Sequence, residues 1–160
     1  IAQSLEQINP ANGSAFDLTG AVFVGRDLFG DSDPVPMLAI LEDLDSPPPL
    51  PSQRDNTAWV GPFNLLVQGF VEAAKDNRPL APAYRLAAEV QKRLAAEKIR
   101  VNRLPGRGPT PNIFGMDGRV DSMSFSPAIV RPADGEISEK SYFWLRLSLG
   151  IVENLVDPYE

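Results

Sequence analysis

The sequence contains neither cysteine nor histidine among its 160 residues. Without these two residues, disulfides, thiolate nucleophiles, iron–sulfur clusters and the usual zinc sites are excluded. The absence of histidine also removes Ser-His and Cys-His catalytic arrangements and the side chain that most often transfers protons near neutral pH. Only a Ser–Lys or a two-carboxylate mechanism stays open. We therefore predict that the protein is not an enzyme.

Long hydrophobic runs and positive charge are also scarce. No apolar run approaches the roughly 18 residues of a membrane span. Residues 1–6 have neither the basic start nor the apolar stretch of a signal peptide. Fifteen Lys and Arg stand against 21 Asp and Glu, which gives a net charge of −6. This balance disfavours general nucleic-acid binding, and we expect a soluble domain, intracellular or bound to a particle.

What is present suffices for a folded core. Leu, Ile, Val and Phe together make up 45 of the 160 residues. This fraction is well above the roughly one fifth below which a chain is expected to be disordered. Sixteen prolines and 12 glycines indicate many stiff turns. The length fits one domain spanning 1–160.

Local patterns predict a mixed α+β fold with a mostly antiparallel sheet, one main helix at about residues 82–98 and a short N-terminal helix. In the main helix, Pro82 suits the first turn. An apolar stripe follows at helical spacing, comprising Ala83, Leu86, Ala87, Val90 and Leu94. The order Glu89–Arg93 favours an ion pair one turn apart. Strands are predicted at about 21–24, 37–41, 62–71, 119–125 and 142–151.

Three details of the strands can be tested. Pro62 is expected to mark the start of its strand, since a proline cannot donate to a sheet ladder. Asp121 is expected to share a face with Met123 and Phe125. In the last strand Phe143 and Leu145 alternate with Trp144, so Trp144 should face away from the core, toward a second layer or a partner subunit.

Two stretches could carry ligand chemistry, but neither has a specific pattern. Glu42, Asp43 and Asp45 offer carboxylates without the spacing of a calcium loop. Residues 106–109 contain two glycines without a phosphate-loop motif. We predict no metal and no cofactor, and interpret both stretches as surface loops.

Positive charge concentrates late in the helix and in the loop after it. The residues concerned are Lys92, Arg93, Lys98, Arg100, Arg103 and Arg107. Part of this charge complements the carboxyl-terminal dipole of the helix. The remainder could meet an acidic partner surface or a DNA backbone. Without interleaved aromatics it gives no sign of base recognition.

The succession of segments resembles the tail terminator proteins of long-tailed bacteriophages. The segments that carry the resemblance are 22–30 (VFVGRDLFG), 33–42 (DPVPMLAILE), 65–71 (LLVQGFV), 82–86 (PAYRL), 118–120 (GRV), 129–132 (IVRP) and 140–147 (KSYFWLRL). Their order and spacing, more than any single segment, make the likeness, which covers about residues 20–153.

The resemblance implies a tail-terminator-like domain whose copies form a ring, usually a hexamer. The ring would cap the tail tube, end its polymerisation and join the tail to the head connector. Partners would be further copies of the chain, the tail tube protein and a connector or neck protein, with DNA only passing through the lumen. Like charge would keep that DNA from sticking. The implied location is the head-proximal end of the tail in the virion, and the host cytoplasm during assembly.

Interface residues are assigned as a prediction. They are Arg103, Arg107, Phe114, Met116 and Trp144. Two alternatives stay open. One is another phage neck, tail-completion or connector protein. The other, from a different class, is a small ligand-binding domain or enzyme, which would need a deep site with convergent polar groups.

Overall fold

A computed structural model describes residues 1–30, 32–43, 52–53, 58–103, 105, 108–133 and 140–154. The helices are α1 (Ala2–Leu5) and α2 (Ala81–Lys98), with 3₁₀ turns at Pro10–Asn12 and Ile113–Gly115. The strands are β1 (Val22–Val24), β2 (Met37–Glu42), β3 (Ser52–Gln53), β4 (Ala58–Glu72), β5 (Val101–Asn102), β6 (Thr110–Pro111), β7 (Val120–Phe125), β8 (Ile129–Arg131) and β9 (Lys140–Asn154). The predicted α+β class, with a mostly antiparallel sheet, one main helix and a short N-terminal helix, is confirmed.

The sheet is built around two long central strands, β4 and β9. They pair antiparallel along all fifteen residues, from Ala58 opposite Asn154 to Glu72 opposite Lys140. The strand order is β1-β2-β4-β9-β7, with β3 beside β4 and β8 beside β9. Among the strand pairs of the described residues, β1 and β2 alone run parallel. Strands β5 and β6 form a separate small ribbon.

One face of the sheet, which we call the core face, carries the hydrophobic core. Alternate residues of the strands point to this face because the side-chain period of a strand is two. They are Leu38, Ile40, Leu65, Val67, Val71, Phe143, Leu145, Leu147 and Leu149, all buried. The alternation predicted for the last strand is therefore confirmed. The other side of the sheet is called the outer face below.

Helix α2 covers the core face with the stripe that its sequence predicts. Ala83, Leu86, Ala87, Val90 and Leu94 are all buried, and they belong to the same cluster as the strand residues of the core face. The expected pair Glu89–Arg93 is not formed. Arg93 instead bonds Glu97, one turn further on, at 2.8 Å.

The start of β4 and the alternation in β7 differ from the predictions for physical reasons. Pro62 lies inside β4. Among the described residues, β3 pairs with β4 as far as Val60 and β2 begins at Leu65, so none of them pairs with Pro62 on this side. A residue without an N–H is tolerated at such a gap. In β7 the register shifts between Val120 and Ser122. Because of this irregularity, Val120 takes the place expected for Asp121 on the buried face that also carries Met123.

No helix within the described ranges is both long and apolar enough to cross a membrane.

Candidate interaction surface

The predicted interface residues fall on two separate surfaces. Arg103 is exposed just after β5, and Met116 is exposed in the turn after β6. Phe114, in the same turn, is half-buried and packs against the core. Trp144 lies on the outer face of the sheet, away from these three, as its alternation predicts. Arg107 lies outside the described residues.

The turn at 112–118 has an unusual backbone. Four of its residues have positive φ, namely Phe114 at 54°, Gly115 at 75°, Asp117 at 43° and Gly118 at 85°. Residues other than glycine rarely adopt positive φ, so Phe114 and Asp117 need hydrogen bonds that hold their backbone in this conformation.

Glu97 supplies one of these bonds from below the turn. Its Oε2 accepts the backbone N–H of Phe114 at 3.2 Å, and its Oε1 accepts Ser4 Oγ at 2.9 Å and Arg93 Nη2 at 2.8 Å. Arg100 approaches from the other side at 3.4 Å. Burial alone would raise the pKa of Glu97, but the Ser4 bond and the charges of Arg93 and Arg100 together lower it. The carboxylate therefore joins α1, the end of α2 and the turn.

Amide side chains tie the same turn to β5. Asn112 Nδ2 donates to Asn102 Oδ1 at 3.0 Å, and Asn102 Nδ2 donates to Asp117 Oδ1. The N–H of Asp117 also donates to Asn112 Oδ1 at 3.1 Å. Because Arg103 follows Asn102 directly, these bonds bring Arg103 and Met116 to the same end of the molecule.

A line of five aromatic rings crosses the outer face, and we call it the aromatic row. Its members are Phe23, Phe29, Phe70, Tyr142 and Trp144. Neighbouring ring centroids are 5.7, 5.7, 6.2 and 5.8 Å apart along this order. The Phe70–Tyr142 and Tyr142–Trp144 pairs are stacked, with interplanar angles of 27° and 24°. Distances in this range are typical of favourable aromatic pairs.

The sheet register places these rings side by side. Trp144 lies opposite Gln68, and Tyr142 lies opposite Phe70. Residues that pair directly across two strands point to the same face. All five rings are half-buried, and none belongs to the hydrophobic cluster under α2. The row is therefore a second apolar surface, separate from the core.

An arginine stands at each end of the row. The Arg26 guanidinium lies 4.9 Å from the centroid of Phe23 and 5.0 Å from that of Phe29. The Arg131 guanidinium lies 5.8 Å from the centroid of Trp144. Both distances are within the range of cation–π attraction.

The two arginines differ in their ion pairs. Arg26 is paired with Asp33 at 2.8 Å. The N–H of Gly30 and then Arg26 hold the pKa of Asp33 below its usual range. No carboxylate pairs with Arg131 within the described part of the chain. The Arg131 guanidinium places a positive charge beside Trp144.

Sequence patterns identified only part of this surface. Of the five rings, Trp144 is the one that the sequence analysis assigns to an interface, and strand alternation gives the side on which it lies. Phe29 and Arg26 lie in the segment after β1, whose path over the sheet no local pattern reveals. Arg131 lies beside Trp144 because β8 pairs with β9, a pairing that no local pattern reveals.

A polar groove of about 370 Å³ lies beyond the row on the outer face. Its lining includes Asp43, Asn64, Ser124, Arg146 and Ser148. Within this lining, Arg146 Nε and Asp43 Oδ2 form an ion pair at 2.9 Å. Across the described ranges, no three acidic side chains come together as metal ligands. Of the acidic stretch considered as a metal site, Asp45 lies outside these ranges.

Comparison of this chain with models of known protein families finds no match, and neither does comparison with curated proteins.

Proposed function

We propose that this protein is a structural virion protein, a tail terminator, that forms a ring on the end of the tail tube. A hexameric ring would end tube polymerisation and join the tail to the head connector. The observation that carries the proposal is the aromatic row, because rows of aromatic and arginine side chains outside a core are the usual anchors of protein interfaces. The segment order that resembles tail terminators supports the same assignment.

A ring needs two different surfaces on each chain, since its contacts are head to tail. The aromatic row lies on the outer face of the sheet. The turn with Met116, tied to α2 through Glu97, lies on the helix side. The aromatic row therefore suits one half of the head-to-tail ring contact, and the turn with Met116 suits a contact with the tube.

The decisive experiment measures the mass in solution with and without tail tubes. Light scattering should give a ring mass, either for the protein alone or after tubes are added. Electron microscopy should show capped tube ends, and capped tubes should stop growing. A stable monomer that leaves tube growth unchanged would contradict the proposal.

The predicted arginines provide a second test. Reversing the charge of Arg103 and Arg107 together should weaken ring assembly while the monomer keeps its circular dichroism spectrum. The matched control is charge reversal of Lys92 and Lys98, two exposed cations of α2. Equal ring formation by both double variants would reject the assignment of Arg103 and Arg107.

The alternatives are separated by the partner that is bound. Binding to a portal or adaptor ring instead of the tube would indicate a connector or neck protein. A small ligand-binding domain is favoured by one observation, an apolar groove of about 430 Å³ whose lining includes Val24, Ile40, Phe63 and Leu65. A shift of the melting temperature by apolar ligands that Leu65→Trp abolishes would support that function.

A further inference from the structure

The aromatic row combines three features that a docking surface requires. It is continuous across the sheet, from Phe23 on β1 to the Arg131–Trp144 contact beside β8. It lies on the side opposite the helices, outside the core cluster. It also carries positive charge in a chain whose net charge is −6.

We propose that the aromatic row binds an extended, acidic and proline-rich segment, residues 45–51 of a second copy of this chain. That segment reads DSPPPLP. Proline-rich segments favour the polyproline II conformation, and aromatic-lined surfaces bind it because it loses little entropy on docking. The inference rests on the proposed ring, since it assigns one of the ring's contacts.

The lengths of the row and of the segment agree. From Phe23 on β1 to Arg131 on β8, the path crosses four inter-strand gaps of about 4.8 Å, or about 19 Å in total. Residues 45–51 span six steps of about 3.1 Å in the polyproline II conformation, again about 19 Å. One segment can therefore cover the row from end to end.

The row lies too far away to be reached by the same segment of its own chain. The N–H of Asp43 bonds the carbonyl of Asn64, and Ser52 pairs with Val60, whereas Trp144 lies opposite Gln68. At about 3.3 Å per residue along β4, a path from Asp43 to the level of Gln68 and back to Ser52 needs about 40 Å. The nine steps from residue 43 to residue 52 extend to about 32 Å at most. Residues 45–51 that cover the row therefore belong to another copy of the chain.

Charge sets the direction of docking. Arg131 presents a cation at the β8 end, whereas Arg26 at the β1 end is compensated by Asp33. We place Asp45 of the incoming segment at Arg131 and the prolines over Trp144, Tyr142 and Phe70. Because row and segment are different surfaces, each copy binds one neighbour and is bound by another, which is the geometry that closes a ring.

The test uses a fluorescent peptide of residues 42–53 and the whole protein at a concentration where light scattering gives the monomer mass. Fluorescence anisotropy should show saturable binding. Trp144→Ala should weaken binding about tenfold or more, as expected for a central anchor. Arg131→Glu should weaken it and reduce its dependence on salt.

Controls separate the row from general surface effects. Tyr84→Ala and Arg85→Glu change an exposed aromatic and an exposed cation of α2, and they should bind the peptide like the unchanged protein. A peptide with all four prolines replaced by alanine should bind about tenfold more weakly. Trp144→Phe keeps the apolar row, so it provides a folded comparison if Trp144→Ala loses its circular dichroism spectrum.

Several outcomes would overturn the inference. They are no binding of the peptide, equal binding of the alanine peptide, and equal binding by the Arg131→Glu and Arg85→Glu variants. Binding of oligothymidine at the row in place of the peptide would overturn it in favour of single-stranded nucleic acid.

The failures of the two proposals can be told apart. Rings that form on tubes despite row substitutions reject this contact alone. Peptide binding without any capping of tubes rejects the tail function alone.

Discussion

Glu97 is the residue on which three parts of the molecule depend. Its carboxylate is almost fully buried and accepts hydrogen bonds from Ser4, Arg93 and the N–H of Phe114. Helical spacing alone does not reveal this role. From the sequence alone, Glu97 is indistinguishable from a solvent-facing carboxylate near a helix end, because its partners Ser4 and Phe114 are distant in sequence.

We predict that Glu97→Gln destabilises the protein by about 3 kcal/mol at neutral pH. The amide would present N–H groups toward donors of Arg100 and Phe114, which leaves a buried group unsatisfied. Urea unfolding measures the change. Glu89→Gln on the same helix is the control, because Glu89 forms no ion pair with any described residue, and its effect should stay within about 0.5 kcal/mol. Equal effects of the two substitutions would contradict the prediction.

The same residue predicts a dependence of stability on pH. The pKa of Glu97 in the folded state is lowered from the ordinary value of 4.5. Its contribution is therefore fully present above pH 4.5 and is lost as the pH falls through the lower, folded value. The difference in unfolding free energy between the protein and Glu97→Gln should shrink on acidification below pH 4.5. A difference that stays constant with pH would show that the charge of Glu97 plays no part.

At the scale of elements, the features predicted correctly are those determined by interactions within one segment. The stripe of α2 and the alternation of β9 lie within one segment, so residue spacing suffices to predict them. The places of Pro62 and Asp121 are determined by neighbouring strands. Pro62 lies on β4 between the residues that pair with β3 and those that pair with β2. Asp121 lies where the register of β7 shifts against β9. Spacing within a segment cannot show either feature.

The pairing of β4 with β9 also explains a glycine. Gly69 lies opposite Phe143, and a Cβ at position 69 would overlap the Phe143 ring. We predict that Gly69→Ala destabilises the protein by about 1–3 kcal/mol through overpacking. Gly108→Ala, where a Cβ meets open space, is the control. Thermal unfolding of both variants checks this, and equal melting temperatures would contradict it.

For the whole molecule, the sequence predicts the fold class and one member of the aromatic row, Trp144. The outer side of Trp144 follows from alternation. The row as a whole requires the strand order, because Phe23, Phe70 and Tyr142 come from β1, β4 and β9, and only sheet assembly makes them neighbours. Arg26 and Phe29 further depend on how a connecting segment folds back over the sheet.

The topology predicts where the molecule is most resistant to opening. Amide hydrogen exchange should be slowest in β4 and β9, since both strands have partners on each side, and faster in the edge strands β1 and β7. Hydrogen exchange with mass spectrometry measures this. Protection of β1 equal to that of β9 in the monomer would contradict the prediction.

The full-length ladder of β4 and β9 has a mechanical consequence. Its hydrogen bonds run perpendicular to the strands. A force that pulls the two strands past one another along their length loads the whole ladder of fifteen residue pairs at once. A force that peels one strand away from an end loads the bonds one after another. The domain is therefore strong in shear along these strands and weak to peeling across them, so its orientation under tension determines how much load it bears.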